Sequence, residues 1–208
     1  MLTAVRSVAA GEQTEEGAGD MPNWEELKAS CMSCTRCGLC QTRNNVVFGV
    51  GNPNADILFV GEGPGEQEDL QGKPFVGPAG QLLDEMLSII DITRDYNCYI
   101  ANIVKCRPPK NRDPHDDEQD ACIQYLYDQI ELIRPKIIVC LGRIAAKKLI
   151  DPNYRITREH GKWVQINGIW YTAIYHPSAL LRDLSKRPET FDDLIALREK
   201  IKSINAWK

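Results

Sequence analysis

The sequence contains no apolar run approaching the roughly 20 residues that cross a bilayer, so no segment reads as a membrane span. A secretory signal is also lacking. The opening stretch, MLTAVRSVAAGEQTEEGAGDMPNW, has a short apolar start and then turns Gly- and Glu-rich, with no hydrophobic region leading to a cleavage site. Positive charge is not in excess. A formal net charge of −4 excludes a broad basic field for nucleic acid, so any such contact must come from a local patch. Histidine is scarce, with three in the chain, and no internal repeat occurs. What is present is ordinary in bulk. The 208 residues are 43% hydrophobic and 26% charged, which suits one domain with a full core. Residues 1–21 are expected to form a disordered tail, with Met21 an alternative start, and residues 22–208 a single folded domain. A cytoplasmic location is expected.

Cysteine is the exception to this plain composition. Eight cysteines are many for such a chain, and without an export signal clustered thiols read as metal ligands before disulfides. The run CMSCTRCGLC places Cys31, Cys34, Cys37 and Cys40 at three-residue steps, with Cys106 and Cys122 far downstream. Cys98 and Cys140 lie in apolar runs and read as buried thiols. Four thiolates suffice for a [4Fe–4S] cluster or a structural zinc. Spacing alone separates neither the metals nor the pairs within the run, and a local site using only residues 31–40 is an open alternative.

Hydrophobic periodicity predicts helices over residues 23–31, 79–90, 114–134, 142–150 and 191–204. Pro114 suits the first turn of the third of these. Short apolar runs at 55–61, 98–104, 136–141 and 169–175 predict buried strands. Strands alternating with helices imply an α/β fold of three α/β/α layers around a central four-stranded, mostly parallel sheet. Ligands of such folds sit beyond the carboxyl ends of the strands. Three predicted strand ends carry chemistry there: Glu62, Asn102 and His176.

The turn after the first strand, GEGPGEQEDLQGKPFVGPAG, spans Gly61–Gly80. Its glycines and prolines allow backbone to approach a ligand closely. It lacks both the Lys-Ser/Thr ending of a phosphate loop and the spacing of a dinucleotide fingerprint, and its acidic residues disfavour phosphate. Read alone, it is equally a tight strand-to-helix connection.

Together, GEGPGEQED…GKPFVGPAG, ANIVKCRPPKNRDP and YHPSALL resemble the family 4 uracil-DNA glycosylases, the iron–sulfur type of the uracil-DNA glycosylase superfamily, over about residues 30–185. The resemblance implies hydrolysis of the N-glycosidic bond of uracil in DNA. It implies a [4Fe–4S] cluster on Cys34, Cys37, Cys106 and Cys122, leaving Cys31 and Cys40 extra. Glu62 would face the sugar, stabilise an oxocarbenium-like centre and orient water. Its bland alternative is a turn cap. Phe75 would stack on the flipped base, although a Phe between Pro and Val reads first as core. Asn102 would read the uracil edge, and His176 would donate to O2 as charge grows there. Backbone groups around Gly63, Pro64 and Gly65 would meet the base edge, with Glu68 the candidate against C5.

Lys105, Arg107, Lys110 and Arg112 form the expected basic patch for phosphates, or otherwise a solvated loop. Leu180, Leu181 or Arg182 would wedge into the base stack. His115 and His160 read as surface or loop residues. Some superfamily relatives capture the sugar covalently through a KRRIH loop. Here the matching stretch is KNRDPHDDEQ, so turnover is expected, with His115 the residue to watch. The implied partners are uracil-containing DNA and a sliding clamp, with the chain a monomer. Two competing readings are a relative that traps uracil-DNA covalently and a non-enzymatic iron–sulfur electron-transfer protein.

Overall fold

The computed structural model describes residues 23–207; the expected tail and Met21 lie outside them. One six-stranded sheet organises the chain, in the order β1-β3-β2-β4-β6-β5. Its centre is the expected set of four parallel strands: β2 (Ile57–Gly61), β3 (Tyr99–Asn102), β4 (Ile137–Leu141) and β6 (Ile169–Ile174). Four strands were expected, and two short edge strands are added to them. β1 (Val50–Gly51) pairs antiparallel with β3, and β5 (Val164–Ile166) pairs antiparallel with β6. With only two and three residues, neither carries enough hydrophobic alternation to be visible in sequence.

The central strands are mostly apolar because both faces are covered. Along β2, Leu58 and Val60 point into one core, and Ile57 and Phe59 into the other, as the two-residue period requires. The first core receives α1 (Trp24–Met32), α4 (Asp116–Ile133) and α5 (Arg143–Leu149) through Leu27, Tyr125, Leu126, Ala145 and Ala146. The second receives α3 (Pro78–Ser88) and the C-terminal helix (Arg187–Ser203) through Leu83, Leu87, Leu194, Leu197 and Ile201. Cys98 and Cys140 are buried in these cores, as their apolar settings suggest.

Helix ends follow local chemistry. Asn23 caps α1 through a reciprocal box with Glu26. Pro114 is not in the first turn of α4. It precedes the cap residue His115, whose N–H donates to Glu118 at 2.8 Å. Three short helices escaped the periodicity: α2 (Glu66–Gln71), α6 (Ile156–Glu159) and α7 (Pro177–Arg182). Numbered in chain order, the C-terminal helix is α8. Among the described residues, no helix is long and apolar enough to cross a membrane.

Candidate active site and cysteine cluster

All four parallel strands deliver residues to one cavity of about 700 Å³ at their carboxyl ends. β2 ends into Glu62 and the Gly63–Gly65 turn, and β3 ends at Asn102. β4 runs into Gly142 and Arg143, and β6 into Tyr175 and His176. Beyond the strands proper, Ile103 N–H bonds to Gly61 O at 2.9 Å and Val104 N–H to Glu62 O at 3.1 Å. That extension fixes Glu62 beside Asn102.

The Asn102 side chain is buried, and its Oδ1 has no hydrogen-bond partner. A buried acceptor left unmatched costs free energy, so the atom is suited to a ligand donor. Gly61 makes room for it. A Cβ there would stand 2.4 Å from Asn102 Oδ1 and 2.6 Å from the Phe75 ring. Phe75 itself adopts φ 53°, unusual for a bulky residue. Arg94 holds that turn by donating to Pro74 O at 2.9 Å and Phe75 O at 2.7 Å. Glu68 holds its other side by accepting from Val76 and Gly77 N–H, both at 2.8 Å. The Phe75 ring lines the cavity with its centroid 5.6 Å from that of His176.

His176 caps α7. Its Nδ1 accepts from Ser178 N–H at 3.1 Å and lies 2.8 Å from Ser178 Oγ. An accepting Nδ1 leaves the ring proton on Nε2. Burial, reinforced by the Arg182 charge, pushes the imidazole down to about 4, so near neutral pH it is an uncharged donor. Glu62 shifts the other way. Burial, then repulsion and a hydrogen bond from Asp113, raise it to about 7 against the opposing charges of Arg143 and Arg182.

The basic residues divide. Lys105 is not available to a phosphate. It is 1% exposed, and its ammonium donates to Gln129 Oε1 at 2.6 Å and Asn102 O at 3.0 Å. Proximity to Arg107 made it look like surface, whereas the chain buries it under the β3 extension. Arg107 is half-buried and donates to Asn111 at 2.7 Å, and Lys110 is exposed. Arg112 lines the cavity and forms a two-pronged pair with Glu118 at 2.6 and 2.8 Å. Arg143, which reading the sequence missed, lines the cavity with Arg182. Its place directly after a parallel strand was the available signal. Leu180 is also excluded as a wedge, being 1% exposed within the second core; Leu181 is 42% exposed beside it. His115 does not line the cavity. His160 is no loose loop residue, for it sits between Asp193 at 2.7 Å and Glu189 at 3.0 Å.

Six cysteines (Cys31, Cys34, Cys37, Cys40, Cys106 and Cys122) line a small apolar void between α1, the loop after β3 and α4. All are free thiols. Sulfur receives N–H donors in three places: Arg36 N to Cys34 at 3.5 Å, Arg43 to Cys106 at 3.3 Å, and Lys105 N to Cys122 at 3.3 Å. Among the described residues, no group of three or more His, Cys, Asp or Glu is arranged to hold a single metal ion.

The model of the uracil DNA glycosylase superfamily matches residues 48–198. A type-4 uracil-DNA glycosylase of Archaeoglobus fulgidus is 45% identical over 187 residues, covering 86% of this chain and 94% of that one. One from Sulfurisphaera tokodaii is 45% identical over 188 residues, covering 86% and 85%. One from Thermotoga maritima is 48% identical over 154 residues, covering 73% and 80%.

Proposed function

The chain belongs to the uracil DNA glycosylase superfamily and, within it, to the type-4 enzymes, and we propose that it hydrolyses the N-glycosidic bond of uracil in DNA through the cavity at its strand ends. The observation that carries this reading is Asn102 Oδ1, buried and unpartnered in the same cavity as a neutral His176 with its proton on Nε2. Uracil supplies the matching pattern: an N3–H donor for Asn102 Oδ1, an O4 acceptor for the Asn102 amide, and an O2 acceptor for His176.

The target nucleotide is flipped into the cavity, and its base stacks on Phe75. As the C1′–N1 bond breaks, negative charge gathers on uracil O2 and meets the His176 Nε2–H. Positive charge gathers on the sugar and meets the Glu62 carboxylate, which also takes a proton from the attacking water. The water oxygen bonds to C1′, giving free uracil and an abasic site. Glu68, clamped to the Phe75 turn, stands against the C5 edge, where a thymine methyl would enter. Lys110, Arg112, Arg143 and Arg182 contact phosphates at the mouth, and Leu181 fills the vacated stack. With His115 outside the cavity lining, no observation favours covalent capture.

The thiol void fits an iron–sulfur cluster in donor chemistry, with soft ligands from three segments and N–H groups directed at sulfur. Cys34, Cys37, Cys106 and Cys122 would hold a [4Fe–4S] cluster, which would supply cross-linking rather than a step of the reaction. The chain works on DNA in the cytoplasm as a monomer, with a sliding clamp as a further partner.

The test uses a labelled oligonucleotide with one uracil, hot alkali and a denaturing gel. Wild type is expected to cut at uracil, while His176→Ala loses about 10²–10³ in rate, the usual cost of one donor to a developing oxyanion. No cleavage by brown, cluster-loaded wild type overturns the reading. A slow band that survives denaturation would instead establish covalent capture.

A further inference from the structure

Lys105 has no part in the mechanism above, although it is 1% exposed and bonded to a residue that has one. Its ammonium donates to Asn102 O at 3.0 Å and to Gln129 Oε1 at 2.6 Å. Gln129 is itself buried on α4, and its Nε2 donates to Phe48 O at 3.0 Å. The backbone of Lys105 is held as well. Its N–H donates to Cys122 Sγ at 3.3 Å, and its C=O accepts from Val47 N–H at 2.8 Å. Taking an ammonium out of water costs free energy that an apolar side chain would not, and neither oxygen it meets is a carboxylate.

The end of β3 supplies a reason for that cost. Ile103 N–H bonds to Gly61 O, so the N–H and C=O of Asn102, one residue earlier, point away from β2. On that side β1 pairs with β3 at Tyr99 and Ile100. Among the described residues, no strand reaches the Asn102 carbonyl from there. A buried carbonyl needs a donor, and the Lys105 ammonium stands in for the missing strand.

We propose that Lys105 is a positioning residue for Asn102: braced by Gln129, its ammonium completes the outer side of the strand end and so keeps the unpartnered Asn102 Oδ1 aimed into the cavity. Its meaning for uracil rests on the base-excision reading, whereas its hold on the strand end does not. A hydrogen bond from a charged donor is stronger than a neutral one, and this donor is anchored on a long helix rather than on a loop. A side-chain amide discriminates between bases only while its backbone is fixed, because a mismatched edge is then left buried and unpaired. Lys105 thus serves base selection without touching the base.

The experiment is calorimetric binding of free uracil to cluster-loaded wild type, Lys105→Met, Gln129→Leu and Leu197→Ala, each below its melting midpoint. Leu197 is fully buried in the second core and does not line the cavity, so its truncation reads lost stability alone. Lys105→Met is expected to bind uracil about tenfold more weakly, and Gln129→Leu, which keeps the Asn102 contact but loses the brace, about threefold. Leu197→Ala is expected to bind as wild type does. Hydrogen exchange of the segment 99–104, run without uracil or DNA, should be faster in Lys105→Met and Gln129→Leu than in Leu197→Ala. Wild-type uracil affinity in a folded Lys105→Met, or a loss matched by Leu197→Ala, overturns the proposal. Should Lys105→Met not fold, Gln129→Leu decides in its place, and wild-type affinity there overturns it. If wild type binds no uracil, the base-excision reading fails, while the exchange still decides whether Lys105 holds the strand end: rates equal to those of Leu197→Ala mean that it does not.

Discussion

At the scale of single residues, the site depends on which atom carries a proton. His176 is useful because Nδ1 is occupied, and two groups of Ser178 occupy it: the backbone N–H at 3.1 Å and Oγ at 2.8 Å. The backbone donor survives any side-chain change. Ser178→Ala is therefore expected to keep the tautomer and lose less than about tenfold in base release, well under the loss for His176→Ala. Single-turnover rates of the two variants side by side would check this, and equal losses would mean that the hydroxyl, not the backbone, sets the tautomer. Asn102, Glu62 and His176 were legible in the sequence because each follows a readable strand. Ser178 was not, since its role is to hold another side chain and it carries no signal of its own. Lys105 was misread for a related reason: charge predicts exposure, and only the fold shows its ammonium bonded inside the protein.

At the scale of elements, the Phe75 turn and the start of α3 are packed backbone to backbone. A Cβ on Gly80 would stand 2.0 Å from Phe75 O and 2.1 Å from its carbonyl carbon, so neither side can yield by a rotamer change. Gly80→Ala is expected to displace Phe75 and cost about 1–3 kcal/mol, as overpacking does. At roughly 2–4 °C per kcal/mol for a chain of this size, the midpoint falls measurably in a thermal melt. Base release should fall with it, and unchanged melting would mean that the turn is free to shift. α4 was legible because its apolar period repeats over 18 residues, and the central strands were legible as short, nearly continuous apolar runs. The six-residue α7 does not, so nothing in the sequence fixed its phase. A one-residue difference there separates Leu180 in the core from Leu181 at the surface.

At the scale of the whole molecule, the thiol void joins segments that are far apart in the chain. α1 packs on α4 and, through Trp24, on Tyr99 of β3, while the loop after β3 is bonded to the end of β2 through Ile103 and Val104. A cluster on Cys34, Cys37, Cys106 and Cys122 would tie these segments together four residues beyond Asn102. Closing loops of this length restricts the unfolded chain and steadies the base-reading end of β3. Cys34→Ser and Cys37→Ser are therefore expected to bleach the protein and lower its melting midpoint by roughly 6–12 °C, for a loss of ~3 kcal/mol. Cys31→Ser and Cys40→Ser, which line the same void, are expected to keep the colour and most of the stability. Iron and sulfide analysis with a thermal melt on each variant reads both effects without any DNA. Bleaching by Cys31→Ser or Cys40→Ser, with colour kept in Cys34→Ser or Cys37→Ser, would reassign the pair. The spacing cannot make that assignment, because Cys31–Cys34, Cys34–Cys37 and Cys37–Cys40 are equivalent in sequence. In the fold they differ: Cys31 is buried on α1, while Cys34, Cys37 and Cys40 follow the helix and are all partly open, which makes Cys31–Cys34 the least accessible of the three pairs.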